Sequence, residues 1–151
     1  MKNKLRLIVD TNIFINGTFF PKAHIHCKDI LDLIKTNNYD LAFSQETIGE
    51  LMYVVKNFLK FDRTLNYKDK LKVLCDISTL FYESISVNTE NTIAEKCDDS
   101  HDDMFIKCFV ESDADYIITQ DFNAGMHKVK NINVLSSKEF IRKEKSEIAF
   151  D

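Results

Sequence analysis

A short apolar run near the start of the chain, Leu5–Val9, ends abruptly in polar residues and indicates the fold class. Such runs are typical of strands that are buried on both faces, as in a parallel sheet. The next residues are Asp10, Thr11 and Asn12. Because ligands of open α/β sheets bind beyond the carboxyl ends of the strands, Asp10 is a candidate functional residue. Asp is also a favoured helix N-cap, so this pattern alone leaves a purely structural role open.

Further apolar runs alternate with helical patterns along the chain. Gly17 and Pro21 predict a loop, and Ser44 is in the N-cap position of a helix. Alternating strands and helices predict a three-layer α/β/α fold with a mostly parallel sheet of about five strands. The predicted strands are 5–9, 40–43, 84–87, 115–119 and 132–135; helices are predicted at 24–36, 45–59 and 66–82, after 103 and after 137, with one helical turn near 93–95 and another at 122–126.

Composition favours one ordinary globular domain over residues 1–151, with its core at about 5–141. Hydrophobic residues make up 44% of the chain and charged residues 29%. No apolar run approaches the roughly 20 residues of a membrane helix. Four scattered cysteines without C-x-x-C spacing favour a reducing, cytoplasmic setting over a disulfide or zinc framework.

The balance of charge is slightly acidic. The 20 basic and 24 acidic residues give a formal net charge of −4. This balance is weak evidence against nucleic-acid binding, which normally depends on neutralising phosphates. A nuclease whose acids bind divalent cations remains compatible with it.

The most unusual stretch is Asp98–Asp103, in which four of six residues are carboxylates directly before an apolar helix. Acids at a helix N-terminus are each stabilised by roughly 0.3–1 kcal/mol, so helix capping is a real alternative. One cap and one first-turn acid meet that need, however, and close carboxylates repel one another. Cation binding therefore explains the surplus better.

A second apolar run, within 115–119, also ends at a hydroxyl and a carboxylate, Thr119 and Asp121. Right-handed crossovers bring the ends of parallel strands to one edge of a sheet, where Asp10 and the 98–103 acids are also expected. Glu50, near the start of a helix, is placed to join them. Oxygen ligands without paired His or Cys suit Mg²⁺ or Mn²⁺. The usual glycine-rich dinucleotide and phosphate fingerprints, and the esterase G-x-S-x-G, are absent from the sequence.

These blocks, in this order, resemble the motifs of the PIN-domain family, and most closely its branch of toxin components of toxin–antitoxin pairs. The resemblance covers about 5–140 and rests on Asp10-Thr11-Asn12, on 44–51, on Asp99-x-x-Asp102-Asp103-x-Phe105 and on 114–121. It implies an endoribonuclease that depends on Mg²⁺ or Mn²⁺. Gln120 and Ser100 depart from the branch, which often has Gly and Pro at these positions, but neither change removes a carboxylate.

The resemblance also implies roles for individual residues. The catalytic acidic quartet falls on Asp10, Glu50, Asp103 and Asp121. Asp10 and Asp103 would bind the principal metal, Asp121 would bind it through water or complete a second site, and Glu50 would orient or deprotonate the attacking water.

Four further residues are implied to support the quartet. Asn12 and Thr119 would orient carboxylates by hydrogen bonds. Asp99 and Asp102 would add charge or cap a helix. The x-Phe-Ile pattern favours Asp103 over Asp102 as the direct ligand, and the sequence leaves that choice open.

The expected partners are an RNA substrate, a cognate antitoxin protein and a second copy of the chain in a homodimer. The alternative is a PIN-like module that binds RNA or protein without cleaving. A third hypothesis is a structural α/β domain whose acids only cap helices, and it predicts no specific binding of divalent ions.

Overall fold

The computed structural model describes residues 3–149 and shows an α/β protein built on a parallel sheet of five strands. This confirms the predicted fold class. Residues 1, 2, 150 and 151 of the predicted single domain lie outside the described residues. The strands are β1 (Leu5–Val9), β2 (Tyr39–Ser44), β3 (Ile85–Val87), β4 (Tyr116–Ile118) and β5 (Val134–Leu135).

The strand order, β3-β2-β1-β4-β5, places β1 at the centre. All four neighbouring pairs are parallel. Val9 of β1 is in register with Ile118 of β4, so Asp10 and Thr119 leave the sheet side by side. The carboxyl edge of the sheet therefore collects the polar residues that end its two central strands.

Helices cover both faces of the sheet and enclose two apolar cores. Leu7 and Val9 point into one of these cores, whereas Ile8 points into the other. This alternation is the period-two pattern of a strand buried on both faces. The helices are α1 (Thr11–Phe19), α2 (Ile25–Lys35), α3 (Gln45–Phe61), α4 (Tyr67–Glu83), α5 (Asp103–Ser112) and α6 (Ser137–Ala149).

Gly17 lies inside α1, so its prediction as a loop residue was wrong. A side chain there would lie 2.6 Å from Cδ1 of Leu31 and 2.9 Å from the carbonyl oxygen of Cys27, both in α2. The glycine thus permits the close packing of α1 on α2, a requirement that resembles a turn signal in the sequence.

Several predicted boundaries shift by one or two residues, and one turn is absent. β4 and β5 are shorter than predicted, and residues 92–97 contain no helical turn. The turn predicted at 122–126 is replaced by a 3₁₀ helix at Met126–Lys128. Among the described residues, no helix has both the length and the apolar character needed to cross a membrane.

Candidate functional site

Asp10 is the central carboxylate of the carboxyl edge. It occupies the N-cap position of α1, but its side chain makes no capping hydrogen bond. Instead, its Oδ2 accepts a 2.7 Å hydrogen bond from the hydroxyl of Thr119. Only 4% of Asp10 is exposed. The helix-cap interpretation therefore does not account for this side chain.

Burial raises the pKa of Asp10, and the negative charge of Glu50 raises it further, against the lowering effect of the Thr119 hydrogen bond. The backbone N–H of Asn12 lowers this pKa, and the charge of Asp121 raises it by a smaller amount. A buried carboxylate among like charges is destabilised in its ionised form. It is a position where a bound cation would relieve the repulsion.

Thr119 links Asp10 to the loop that carries Asp121. It is fully buried at 0% exposure. Its hydroxyl donates to Asp10 and accepts a 3.0 Å hydrogen bond from the backbone N–H of Asp121. One hydroxyl thus fixes the orientation of one acid and the backbone position of another.

Thr11 holds Glu50 in a similar way. Its hydroxyl, in a residue only 5% exposed, donates a 3.0 Å hydrogen bond to Oε2 of Glu50. Glu50 is placed by the start of α3, where Ser44 and Thr47 form a capping box. The sequence motif contained Thr11, but no role was predicted for it. The sequence did contain a signal for this role, because Thr11 and Thr119 are both hydroxyl residues within two positions of an acid at the end of a strand.

Asp98 and Asp99 have structural partners. Asp98 forms an ion pair with Lys128 at 3.3 Å. Oδ1 of Asp99 accepts from the backbone N–H of His101 at 3.0 Å and so caps the 3₁₀ helix Ser100–Asp102. The capping alternative holds for Asp99, whereas Asp98 is held by its ion pair.

Asp103 faces Cys97 instead of the other acids. Its Oδ1 accepts a 2.8 Å hydrogen bond from the backbone N–H of Cys97 and lies 3.3 Å from its Sγ. Burial and the Asp103 carboxylate raise the pKa of Cys97 to about 11, so the thiol stays protonated at neutral pH. In the structure Asp103, predicted as a metal ligand and catalytic acid, therefore holds Cys97, in the connector between β3 and the 3₁₀ helix.

Asp102 lies where Asp103 was expected. Burial raises the pKa of Asp102 to about 7, and the next causes are the negative charges of Asp10, Asp99, Glu50 and Asp121. Adjacent residues at a helix start point in different directions, and the contacts of Asp103 are with Cys97. The structure thus brings together Asp10, Glu50, Asp102 and Asp121, which we call the acidic cluster.

The chemistry of this donor set fits a hard divalent cation, because all of its side chains offer carboxylate oxygens. Within the part of the chain that the structure describes, no three His, Cys, Asp or Glu side chains form a ready-made coordination set. Carboxylates without a cation repel one another. Burial is the main cause of the raised pKa values of Asp10 and Asp102, and the repulsion between the carboxylates raises both further.

Asn12 does not contact the acidic cluster through its side chain. It lies exposed at the start of α1, and within residues 3–149 only its backbone N–H, which helps to lower the pKa of Asp10, interacts with a carboxylate. The orienting role predicted for Asn12 stays a prediction.

Replacing Thr119 with Val should lower any activity of this site by about 10–100-fold, the usual effect of losing a partner that orients a ligand. Val keeps the shape but leaves Asp10 without its donor and the N–H of Asp121 without its acceptor. Thr119→Ser, which retains the hydroxyl, should stay near the wild-type value. Equal losses in both variants, measured as rate and as thermal unfolding, would contradict this role.

The PIN domain profile matches residues 6–123, which include every member of the acidic cluster. The chain belongs to the PIN domain family. This confirms the resemblance seen in the sequence. The match ends before β5 and α6, so these two elements complete the sheet and one helical layer of this PIN domain outside the matched region.

Solved structures share the fold at low sequence identity. Fourteen chains match, and one belongs to the crystal structure of VapBC2 from Rickettsia felis bound to a DNA fragment from their promoter. It is 13% identical, with a TM-score of 0.53, and the match covers 87% of this PIN domain protein and 98% of that chain. None of the curated proteins matches.

Proposed function

We propose that this PIN domain is an endoribonuclease that depends on Mg²⁺ or Mn²⁺. The observation that carries the proposal is the acidic cluster itself: a buried Asp10, and an Asp102 whose pKa is raised to about 7 by burial and by the charges of other carboxylates. A merely structural domain gains no stability from such repulsion, whereas a cation-binding site needs the negative charge. Membership of the PIN domain family supports the same reaction class.

In this proposal Asp10, Asp102 and Asp121 bind the metal, with Asp102 taking the place first given to Asp103. A bound divalent cation supplies positive charge that lowers the pKa of water and stabilises the leaving oxygen of a phosphodiester. Glu50 is the general base. Thr11 holds its Oε2, which leaves Oε1 to accept the proton of the attacking water.

We further propose that the protein is the toxin of a toxin–antitoxin pair in the cytoplasm and that it forms a homodimer. The resemblance of its motifs to that branch and the shared fold with a VapBC2 chain support an antitoxin partner. A single domain over 1–151 is part of the proposal. The antitoxin would block the acidic cluster, so a purified complex that still cleaves RNA at the full rate would count against it.

The test is cleavage of a mixed set of structured RNAs by the purified protein, with Mg²⁺ or Mn²⁺ and with a chelator. We expect cleavage only with the metals. The alternative, a PIN module that binds RNA or protein without cleaving, predicts no cleavage in either condition. Calorimetry with Mn²⁺ separates the remaining cases, because a structural domain without a site would release no heat of binding.

The raised pKa of Asp102 predicts how the stability of the metal-free protein changes with pH. A carboxyl whose pKa rises from 3.8 in the unfolded chain to about 7 in the folded protein takes up a proton on folding. The metal-free protein should therefore lose stability as the pH rises from about 4 to about 7, and stay level above that range. Thermal unfolding in chelator at several pH values measures this effect. Asp102→Asn should flatten the trend, and an unchanged slope in that variant would contradict the assignment.

Mn²⁺ affinity should change in the opposite direction with pH. Metal binding must displace the proton of Asp102, so affinity should rise by about tenfold per pH unit below 7 and level off above it. Calorimetry at about pH 6 and about pH 8 checks this expectation. Equal affinities at both values would show that Asp102 is not a ligand.

A further inference from the structure

The loop after β4 carries two aromatic rings beside the acidic cluster. Phe122 directly follows Asp121, and its ring centroid lies 5.2 Å from that of His127, with 65° between the ring planes. Phe122 is half-buried and His127 is exposed. Within residues 3–149, neither hydrophobic core includes Phe122. Core packing therefore does not explain why this loop presents an aromatic pair.

The loop is held in place from within. The backbone N–H of Asp121 donates to the hydroxyl of Thr119 at 3.0 Å, and that of Gly125 donates to the carbonyl oxygen of Phe122 at 3.2 Å. Gly125 has a φ of 78°, which a residue with a side chain adopts only with strain. Phe122 thus sits at the start of a defined turn.

The same loop is tied to the acidic stretch before α5. The backbone N–H of Asp99 donates to the carbonyl oxygen of Ala124 at 3.1 Å, and Lys128 pairs with Asp98 at 3.3 Å. A side chain at Gly125 would lie 2.4 Å from Oδ2 of Asp98, so the two segments touch. The backbone of the loop is therefore held against the acidic stretch before α5.

We propose that Phe122 and His127 form a stacking site for one unpaired base of a single-stranded RNA, next to the phosphate that is cleaved. Aromatic rings, His included, stack on the exposed bases of single-stranded RNA. His127 is exposed, so a base can reach the edge-on pair from solvent. Consecutive Cα atoms are about 3.8 Å apart, so Phe122 begins one residue from a proposed metal ligand.

The charge of the protein adds to the argument for stacking. With 20 basic against 24 acidic residues, the chain has a formal net charge of −4 and so no excess of positive charge to neutralise phosphates. Stacking contributes affinity without positive charge and tolerates any base. This inference rests on the proposed function, because it adds a base-binding site next to the same acidic cluster.

The test measures fluorescence anisotropy of a labelled single-stranded RNA of about 12 nucleotides, in Ca²⁺, with the full chain. Phe122→Leu should weaken binding by about 5–100-fold, whereas Phe122→Tyr should bind within about twofold of wild type. The matched control is Tyr82→Leu, since Tyr82 is 88% exposed on α4, and it should leave binding unchanged. If Phe122→Leu unfolds, His127→Ala, at an exposed position, takes its place in this test.

An abasic nucleotide moved along the RNA locates the base. At one position it should weaken wild-type binding by the same factor as Phe122→Leu, with no further loss when both changes are combined. The inference is overturned if Phe122→Leu and Tyr82→Leu bind alike, if a duplex binds as tightly as the single strand, or if wild type binds no single-stranded RNA.

The failure of this inference and that of the nuclease proposal give different results. RNA binding that depends on Phe122, without any cleavage in Mg²⁺ or Mn²⁺, retains the stacking site and removes the nuclease. Metal-dependent cleavage that changes neither with Phe122→Leu nor with the abasic position retains the nuclease and removes the stacking site.

Discussion

Asp10→Asn should abolish RNA cleavage and at the same time make the metal-free protein more stable. The loss of a ligand in the acidic cluster should reduce cleavage by at least about 100-fold, more than the loss of a residue that only orients a ligand. The gain follows from burial, because a nearly inaccessible carboxylate repels Glu50 and Asp121. Asn keeps an oxygen that accepts from Thr119 but removes the charge. We expect a rise of about 0.5–2 kcal/mol in the free energy of unfolding at neutral pH, as is common where activity needs a strained site.

Thermal and denaturant unfolding in chelator, beside cleavage assays in Mg²⁺ and Mn²⁺, measure both parts of this prediction. The control is Glu90→Gln, which removes a carboxylate from an exposed position that is not part of the acidic cluster and should change neither quantity. A less stable Asp10→Asn would mean that the ionised carboxylate contributes to folding. The acidic cluster would then be a structural feature, and the argument for a cation site would lose its basis.

The fold was largely readable from the sequence because apolar periodicity and strand burial are local properties. Leu5–Val9 has the composition of a strand covered on both faces, and the structure places it at the centre of the sheet. The bounds of short elements were predicted less accurately. The two-residue strand β5, for example, depends on pairing with β4 and has little sequence pattern of its own. Gly17 illustrates a different limit: a glycine needed for helix contact and a glycine needed for a turn are identical in sequence.

The sequence predicted which kinds of residue meet at the site, but it did not predict which individual side chains contact one another. That Asp10 and the end of β4 meet follows from parallel strands, whose carboxyl ends share one edge. Which acid of a consecutive pair faces that edge depends on where the 3₁₀ helix ends and α5 begins, and this is a matter of one residue. The hydrogen bond from Thr11 to Glu50 crosses from the first helix to the third, and no local pattern specifies it.

Asp102 and Asp103 can be separated by substituting each with Asn. Asp102→Asn should weaken Mn²⁺ binding and cleavage by at least about 100-fold, because the half-buried carboxyl faces the other acids of the cluster. Asp103→Asn should cost less than about tenfold, since its contact is a hydrogen bond to Cys97 and Asn also has an accepting oxygen. Calorimetry with Mn²⁺ and cleavage rates, at a pH above 7 so that Asp102 is ionised, provide the comparison.

The opposite result would be equally informative. If Asp103→Asn abolished Mn²⁺ binding and Asp102→Asn did not, the direct ligand would be the acid that the motif resemblance favours. The carboxylate of Asp103 would then have to leave Cys97 when the metal binds, and the start of α5 would have to turn with it. Because Asp103 accepts a hydrogen bond from the backbone N–H of Cys97, that movement would also release the connector before the 3₁₀ helix. Faster hydrogen exchange at the Cys97 amide on adding Mn²⁺ would reveal such a movement, whereas ligation by Asp102 leaves this amide protected.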